Sequence, residues 1–385
     1  MSGDIHLSVV ATSRNDDHGG HLLERMQYFV DGLAAVVERI GGTVELVLVE
    51  WNPPNDKSSL EDAMRWPNVP GLTIRIVTVP PERHMAIEFA ESLPLFQMLA
   101  KNVGIRRARG EFVLATNVDV VLSDALYARV AGHLEPRTIY RADRHDIDFD
   151  VADPANNLAA LDTASGAPRR INRRDGVHYP GRGRVVPIYQ GPVDALRVWW
   201  DRRRGSMPKV ERGMEQSNEV DHRAARLRDR LSAATALAVL PKLHLTACGD
   251  FTLCDRAGWE EVRGYAEWPM FSWNLDSLFL YQAHALGFGR CDLPEDMACF
   301  HIEQAPGSAW TPEARDTLFS RLRSRGMPFL SDAELRKHAL KLRRSRRPAK
   351  VVVNGQSWGM AGIDLPDRLV AGSPPGSEDR STRQG

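Results

Sequence analysis

The chain has 385 residues, 43% of them hydrophobic and 26% charged, a composition that excludes a wholly disordered chain. Its 50 Lys and Arg balance 50 Asp and Glu, which argues against a protein held on nucleic acid by bulk charge. Cys248, Cys254, Cys291 and Cys299 contain no C-x-x-C pair, so neither a disulfide scaffold nor a zinc knuckle is expected. The start, Met1-Ser2-Gly3-Asp4, has no basic-then-apolar leader, and no run of about 18 apolar residues follows. These features predict a cytoplasmic protein with reduced thiols.

Residues 5–12 (IHLSVVAT) read as a buried strand, followed by a polar turn over 13–20. Leu22, Met26, Phe29, Val30, Leu33 and Val37 then recur at helical spacing, predicting a helix over 21–40 that Gly41-Gly42 stops. A second strand over 44–50 ends at Asn52-Pro53-Pro54, and a third over 72–79 ends at Pro80-Pro81. A helix over 88–108 and a strand over 111–116 complete the alternation. This order predicts an α/β fold with a mainly parallel sheet flanked by helices. Ligands bind such sheets beyond the carboxyl ends of the strands, which singles out 12–17, 50–56 and 116–120.

The rhythm divides the chain. Residues 1–142 form the first half of the domain, and 143–245 break the pattern as an insertion. The insertion is expected to hold an Arg-, Gly- and Pro-rich loop at 167–184 and a charged helix over 209–237. The α/β pattern resumes over 246–310. Residues 311–370 predict a helical part whose second helix is basic from Arg336 to Arg347, and 371–385 read as a disordered tail.

Three pieces stand in order: Lys101-Asn102-Val103-Gly104-Ile105, Ala108-Arg109-Gly110-Glu111, and Asn117-Val118-Asp119. A helix runs into a strand that delivers a carboxylate at its exit. Here the sequence resembles the family 2 glycosyltransferases of GT-A fold. They carry an Asn-x-Gly-Ile helix, an Ala-x-Gly-Glu turn and an Asp-x-Asp-type motif, whose first acid is replaced here by Asn117. The resemblance covers residues 5–126 and 249–304, roughly half the chain.

The resemblance implies a nucleotide-sugar donor, with UDP favoured over GDP, and a divalent metal, Mn2+ or Mg2+. A hard cation neutralises the charge that builds on the departing diphosphate, and carboxylate oxygens suit it. By the same resemblance Asp119 and His301 are the metal ligands. Thr12, Arg14, Asn15, Glu50, Lys101, Asn102, Asn117 and Val118 bind the donor. Gly249, Asp250 and Trp273 face the acceptor. Asp276, opening a helix over 276–286, is the catalytic base, kept ionised by the helix dipole.

The implied reaction is inverting transfer of a hexosyl-type sugar to a hydroxyl on a glycan, a lipid-linked acceptor or a small molecule. Plainer structural readings stand beside several roles: a surface turn at 14–16, a helix cap at Asp119, a satisfied core histidine at His301. The basic helix near 336–347 is either a solvated face or a peripheral contact with an anionic membrane. Two other functions remain open. A nucleotidyltransferase would carry a Gly-rich loop with Arg and Lys, which 13–20 lacks. A degenerate interaction module is consistent with Asn117.

Overall fold

In the computed structural model the described residues are 5–187, 239–303, 315–345 and 348–372. The helix expected over 209–237 and the tail beyond 372 lie outside them. The chain opens with β1 (Leu7–Ser13), α1 (Leu22–Ile40), β2 (Val44–Trp51), α2 (Leu60–Ala63) and β3 (Leu72–Val79). Next come α3 (Pro81–Met85), α4 (Gln97–Arg107), β4 (Phe112–Ala115), β5 (Val120–Leu122), α5 (Asp124–Val130) and β6 (Thr138–Arg141). The middle holds β7 (Arg144–Ile147), α6 (Leu158–Ser165), β8 (Arg170–Arg173), β9 (Gly176–Tyr179) and β10 (Arg184–Pro187). The chain continues through β11 (Thr252–Asp255), α7 (Arg256–Val262), α8 (Leu275–Ala285), β12 (Gly289–Asp292) and β13 (Cys299–Ile302). It closes with α9 (Arg315–Ser324), α10 (Asp332–Arg344) and β14 (Asp367–Ala371).

Among the described residues two sheets form. The larger runs β12-β6-β11-β4-β1-β2-β3-β14. β4, β1, β2 and β3 are parallel at its centre, while β11 and β14 run antiparallel to their neighbours β4 and β3. Every residue of β1, β2 and β4 is buried, as a parallel sheet covered on both faces requires. Alternation divides the apolar side chains between two cores. Val9, Leu46 and Ile74 pack with Met26, Phe29 and Leu33 of α1. Val10, Val47 and Val77 pack with Val103 of α4 and Leu278 and Phe279 of α8. Gly104 explains the close seating of α4, because a Cβ there would lie 2.5 Å from Val10 Cγ1 and 3.0 Å from Val49 Cγ2. None of the described helices is long and apolar enough to cross a membrane.

The smaller sheet runs β10-β9-β8-β7-β13-β5. It corrects the reading of 167–184 as a loop, since β8, β9 and part of β10 occupy that stretch. Ile171, Val177, Tyr179 and Val186 are buried there, and Arg170, Arg173 and Arg174 form ion pairs with Asp146, Glu303, Asp143, Glu295 and Asp292. The helix expected from residue 88 begins instead at Gln97. Pro94 restrains the residue before it away from helical geometry, and Phe89 sits at φ 65°. β14 was not foreseen. It covers the outer edge of β3 and is fastened by Arg75, which bridges Glu45 and Asp367 in a buried network with Ser8.

Candidate active site

The chain leaves β1 toward β2 on one side, while β4 lies on the other, so the carboxyl ends of β1 and β4 flank a topological switch point. From β4 the chain passes through Thr116-Asn117-Val118-Asp119 directly into β5 of the second sheet. There β5 pairs with β13 and β13 with β7, which sets Val120, His301 and Asp146 side by side. His301 Nδ1 lies 2.8 Å from Asp146 Oδ1, and its Nε2 lies 3.6 Å from Asp119 Oδ2. The imidazole is thus held between two carboxylates, with its Nε2 facing Asp119.

Electrostatics hold this line together. Burial works against the charge on Asp146, but Arg144, His301 and Arg170 hold its carboxyl well below the usual carboxylate range. Burial and Arg144 oppose a charged His301, yet Asp119 and Asp146 outweigh them and push it up to about 9. Arg25 of α1 donates to Asp119 Oδ2 at 3.0 Å. The same guanidinium donates to Gly20 O at 3.2 Å and His18 O at 2.6 Å, tying the loop after β1 to the exit of β4. Among the described residues no three His, Cys, Asp or Glu side chains come together around a metal position. A cation held by Asp119 and His301 would have only these two protein ligands, would have to displace the proton that His301 carries at neutral pH, and would share Asp119 Oδ2 with Arg25.

The segment around Gly249 and Asp250 docks on the same exit. Asn117 Nδ2 donates to Asp250 Oδ1 at 2.5 Å, and Asn117 Oδ1 accepts from Gln97 Nε2 at 2.9 Å. Asp250 Oδ2 accepts from Arg144 at 2.5 Å, so both its oxygens are engaged. Lys101 is wholly buried, and its Nζ donates to Gly249 O at 2.6 Å. Gly249 in turn lies under Asp276, since a Cβ there would stand 3.0 Å from Asp276 Oδ2. Asp276 is the second residue of α8 and partly exposed, and its Oδ1 accepts from Ser277 N–H at 2.7 Å. Its pKa is moved against the pull of the helix dipole. Burial raises its pKa, outweighing the Cys248 thiol, the Ser277 N–H, Lys101 and Arg141, all of which favour the anion. A carboxylate moved upward is a stronger base once ionised.

The structure brings Lys101, Asn117, Asp119, Gly249, Asp250, Asp276 and His301 to one end of the sheet. The other sequence candidates have settled partners. Thr12 Oγ1 donates to Val49 O at 3.0 Å. Arg14 Nε donates to Asn52 O at 3.1 Å and Asn15 Nδ2 to Ser58 O at 2.9 Å, pinning the 52–58 loop beside the β1 exit. Glu50 is buried, accepts from Leu60 N–H at 2.8 Å, and is raised in pKa chiefly by burial. Val118 is a core residue. Asn102 is wholly buried and clasps Tyr265 N and O together with Glu267. Trp273 packs edge-on against Phe319 of α9, with ring centroids 5.2 Å apart.

Sequence reasoning missed Arg25, Arg144, Asp146 and Arg170. Arg25 carried a signal: it falls between Leu22 and Phe29 on the apolar stripe of α1, where a charge needs a buried partner. The other three lie on strands of the segment read as an insertion.

No protein-family model matches the chain, and no curated protein matches its sequence. Similar solved structures exist. The catalytic domain of Drosophila beta1,4galactosyltransferase 7, in complex with xylobiose, is 9% identical, covering 80% of this chain and 78% of that one, with TM-score 0.33. The mannosyltransferase PcManGT from Pyrobaculum calidifontis, in complex with GDP-Man and Mn2+, is 13% identical, covering 91% and 74%, with TM-score 0.39. GalNAc-T7 with UDP, GalNAc and Mn2+ is 12% identical, covering 87% of this chain and 50% of that one, with TM-score 0.41. Overlaps this distant say nothing of donor, acceptor or mechanism.

Proposed function

We propose that this protein is a glycosyltransferase of GT-A type. It moves a sugar from a nucleotide-sugar donor, with UDP favoured, to a hydroxyl acceptor by inverting single displacement. One observation carries the reading. Asp119 and His301 converge at the switch point of the sheet, and Asp276 stands on the acceptor-side segment docked against the same strand exit. The motif order from Asn102 to Asp119 supports it.

In this reading the donor lies across the ends of β1 and β4. Asp119 and His301 hold a divalent cation, which when bound supplies charge neutralisation at the diphosphate. Arg25 holds Asp119 and the loop after β1 in fixed relation, so the donor meets a preformed cradle. Asp276 accepts the acceptor's hydroxyl proton as the new bond forms. Asn117 acts through Asp250 rather than as a ligand, fixing the acceptor-side turn to the strand exit. Lys101 sits beneath that turn as a buried cation. The exposed basic residues Lys337, Lys341, Arg343 and Arg344 of α10 are what supports a peripheral contact with anionic lipid and so a lipid-linked acceptor.

Thermal shift with UDP and GDP, with and without Mn2+, tests the reading. Stabilisation by UDP that grows with Mn2+ is expected, about 2.7 kcal/mol at a hundredfold excess over Kd. The absence of any response to either nucleotide overturns it and returns the chain to the interaction-module class.

Lys101 gives a separate expectation. Burial pushes its pKa down to about 8 against the pull of Asp250, Asp276, Asp119 and Cys248, so it is charged at neutral pH. Removing a cation near a carboxylate makes that carboxyl harder to ionise. Lys101→Met should therefore move the acid limb of the kcat–pH profile to higher pH, while Lys101→Arg leaves it near the wild-type position. An unmoved acid limb in Lys101→Met would show that the buried cation does not act on the base.

A further inference from the structure

The residue that opens α8 has an unusual conformation. Asn274 occupies the N-cap position at φ 63° and ψ 0°. An asparagine at that position ordinarily turns its oxygen onto the first free N–H groups of its own helix. This one makes no such bond. Its Nδ2 group donates instead to Leu330 O at 3.0 Å and Asp332 Oδ1 at 2.8 Å. The neighbouring Trp273 Nε1 donates to the same Asp332 Oδ1 at 3.3 Å. Phe271 N donates to Pro328 O at 2.9 Å, and Phe271 and Phe329 form an isolated bridge. The four residues 271–274 are thus stitched to 328–332, two residues ahead of Asp276.

Asp332 is well placed to hold this loop rigidly. It is the first residue of α10, whose start is secured separately by a capping box between Ser331 and Glu334. Leu335, Ala339 and Leu342 of α10 share a core with Leu275 and Leu278 of α8. The carboxylate of Asp332 therefore sits at the start of a helix that Ser331 and Glu334 already cap.

We infer that Asp332 is a positioning residue for the proposed base. By holding Trp273 and Asn274 it sets the left-handed turn that aims Asp276 at the acceptor, which makes α9 and α10 part of the acceptor side of the site. The inference rests on the reading of Asp276 as the base. It also places Trp273 with the support of the base rather than in direct acceptor contact.

The experiment compares Asp332→Ala, Asp332→Asn and Asn274→Gly with Asp276→Asn in the full chain, reading kcat, acceptor KM, UDP–Mn2+ affinity and melting temperature. Supporting-shell losses typically cost about 10- to 100-fold in activity. Asp332→Ala should lower kcat by that factor with UDP–Mn2+ affinity within a few-fold of wild type. Asp332→Asn keeps an acceptor oxygen for both donors and should restore most of the rate. Asn274→Gly keeps the left-handed backbone but loses both anchoring bonds, and should repeat the kcat loss even if Asp332→Ala folds poorly. If Asp276→Asn is inactive while Asp332→Ala and Asn274→Gly keep kcat, the positioning role is wrong and the base stands. A loss of kcat that falls equally on nucleotide affinity and melting temperature also overturns it. If Asp276→Asn is active, the reading of the base itself has failed.

Discussion

Asp276→Asn should lower sugar transfer by about 10²- to 10⁴-fold, the range a positioned general base contributes, with nucleotide affinity within a few-fold of wild type. The substitution preserves shape and the bond from Ser277 N–H while removing proton acceptance. It also removes a partly exposed anion whose pKa is already raised by desolvation, so no large loss of stability should accompany it. Steady-state kinetics at saturating donor separates the two quantities. Near-normal transfer by Asp276→Asn would exclude it as the base. Asp250 is then a poor substitute, because Asn117 and Arg144 already engage both of its oxygens.

Asp119→Ala should abolish the Mn2+-dependent part of nucleotide binding, measured by calorimetry with UDP in the presence and absence of the metal. Its effect on stability should also be large. Asp119 is the carboxylate partner of Arg25, whose side chain is only 1% exposed. Removing one partner of a buried pair leaves an uncompensated charge and costs about 3–5 kcal/mol. Asp119→Asn, which keeps an oxygen for Arg25, separates the two effects: metal-dependent binding should still be lost while folding is largely kept. Full activity in excess EDTA would contradict the metal role.

The parallel core was legible because its strands are buried on both faces. IHLSVVAT, VELVLVE and LTIRIVTV carry almost nothing that a turn would need, and α1 shows an apolar stripe interrupted by Arg25. The second sheet was not legible. Its arginines at 170 and 173 look like solvated loop residues until Asp146, Glu303 and Asp143 are known to face them. β14 carries Asp367 and Arg368 at a sheet edge, where charge is tolerated and hides the strand.

The site divides along the same line. The order of Asn117, Asp119, Asp276 and His301 could be read locally, because the first two follow a strand, Asp276 opens a helix and His301 lies in a short apolar strand. The contact between Asp146 and His301 spans 155 residues and depends on strand register, which no local pattern carries. Burial also acts where no local pattern shows it. Lys101 and Asn102 lie inside the packed face of α4, where the segment 249–267 covers them, rather than at its surface. The dipole at the start of α8 favours the Asp276 anion, while burial moves its pKa upward.

Transfer from a nucleotide-sugar is the central claim, and release of nucleoside diphosphate tests it without knowledge of the acceptor. Purified full-length protein with Mn2+ is incubated with a panel of UDP- and GDP-sugars, beside Asp119→Asn and Asp276→Asn, and free UDP and GDP are quantified. Slow release from one donor, metal-dependent in the wild type and absent from Asp119→Asn, is the predicted result. Release from no donor, or equal release by wild type and Asp119→Asn, would contradict the account.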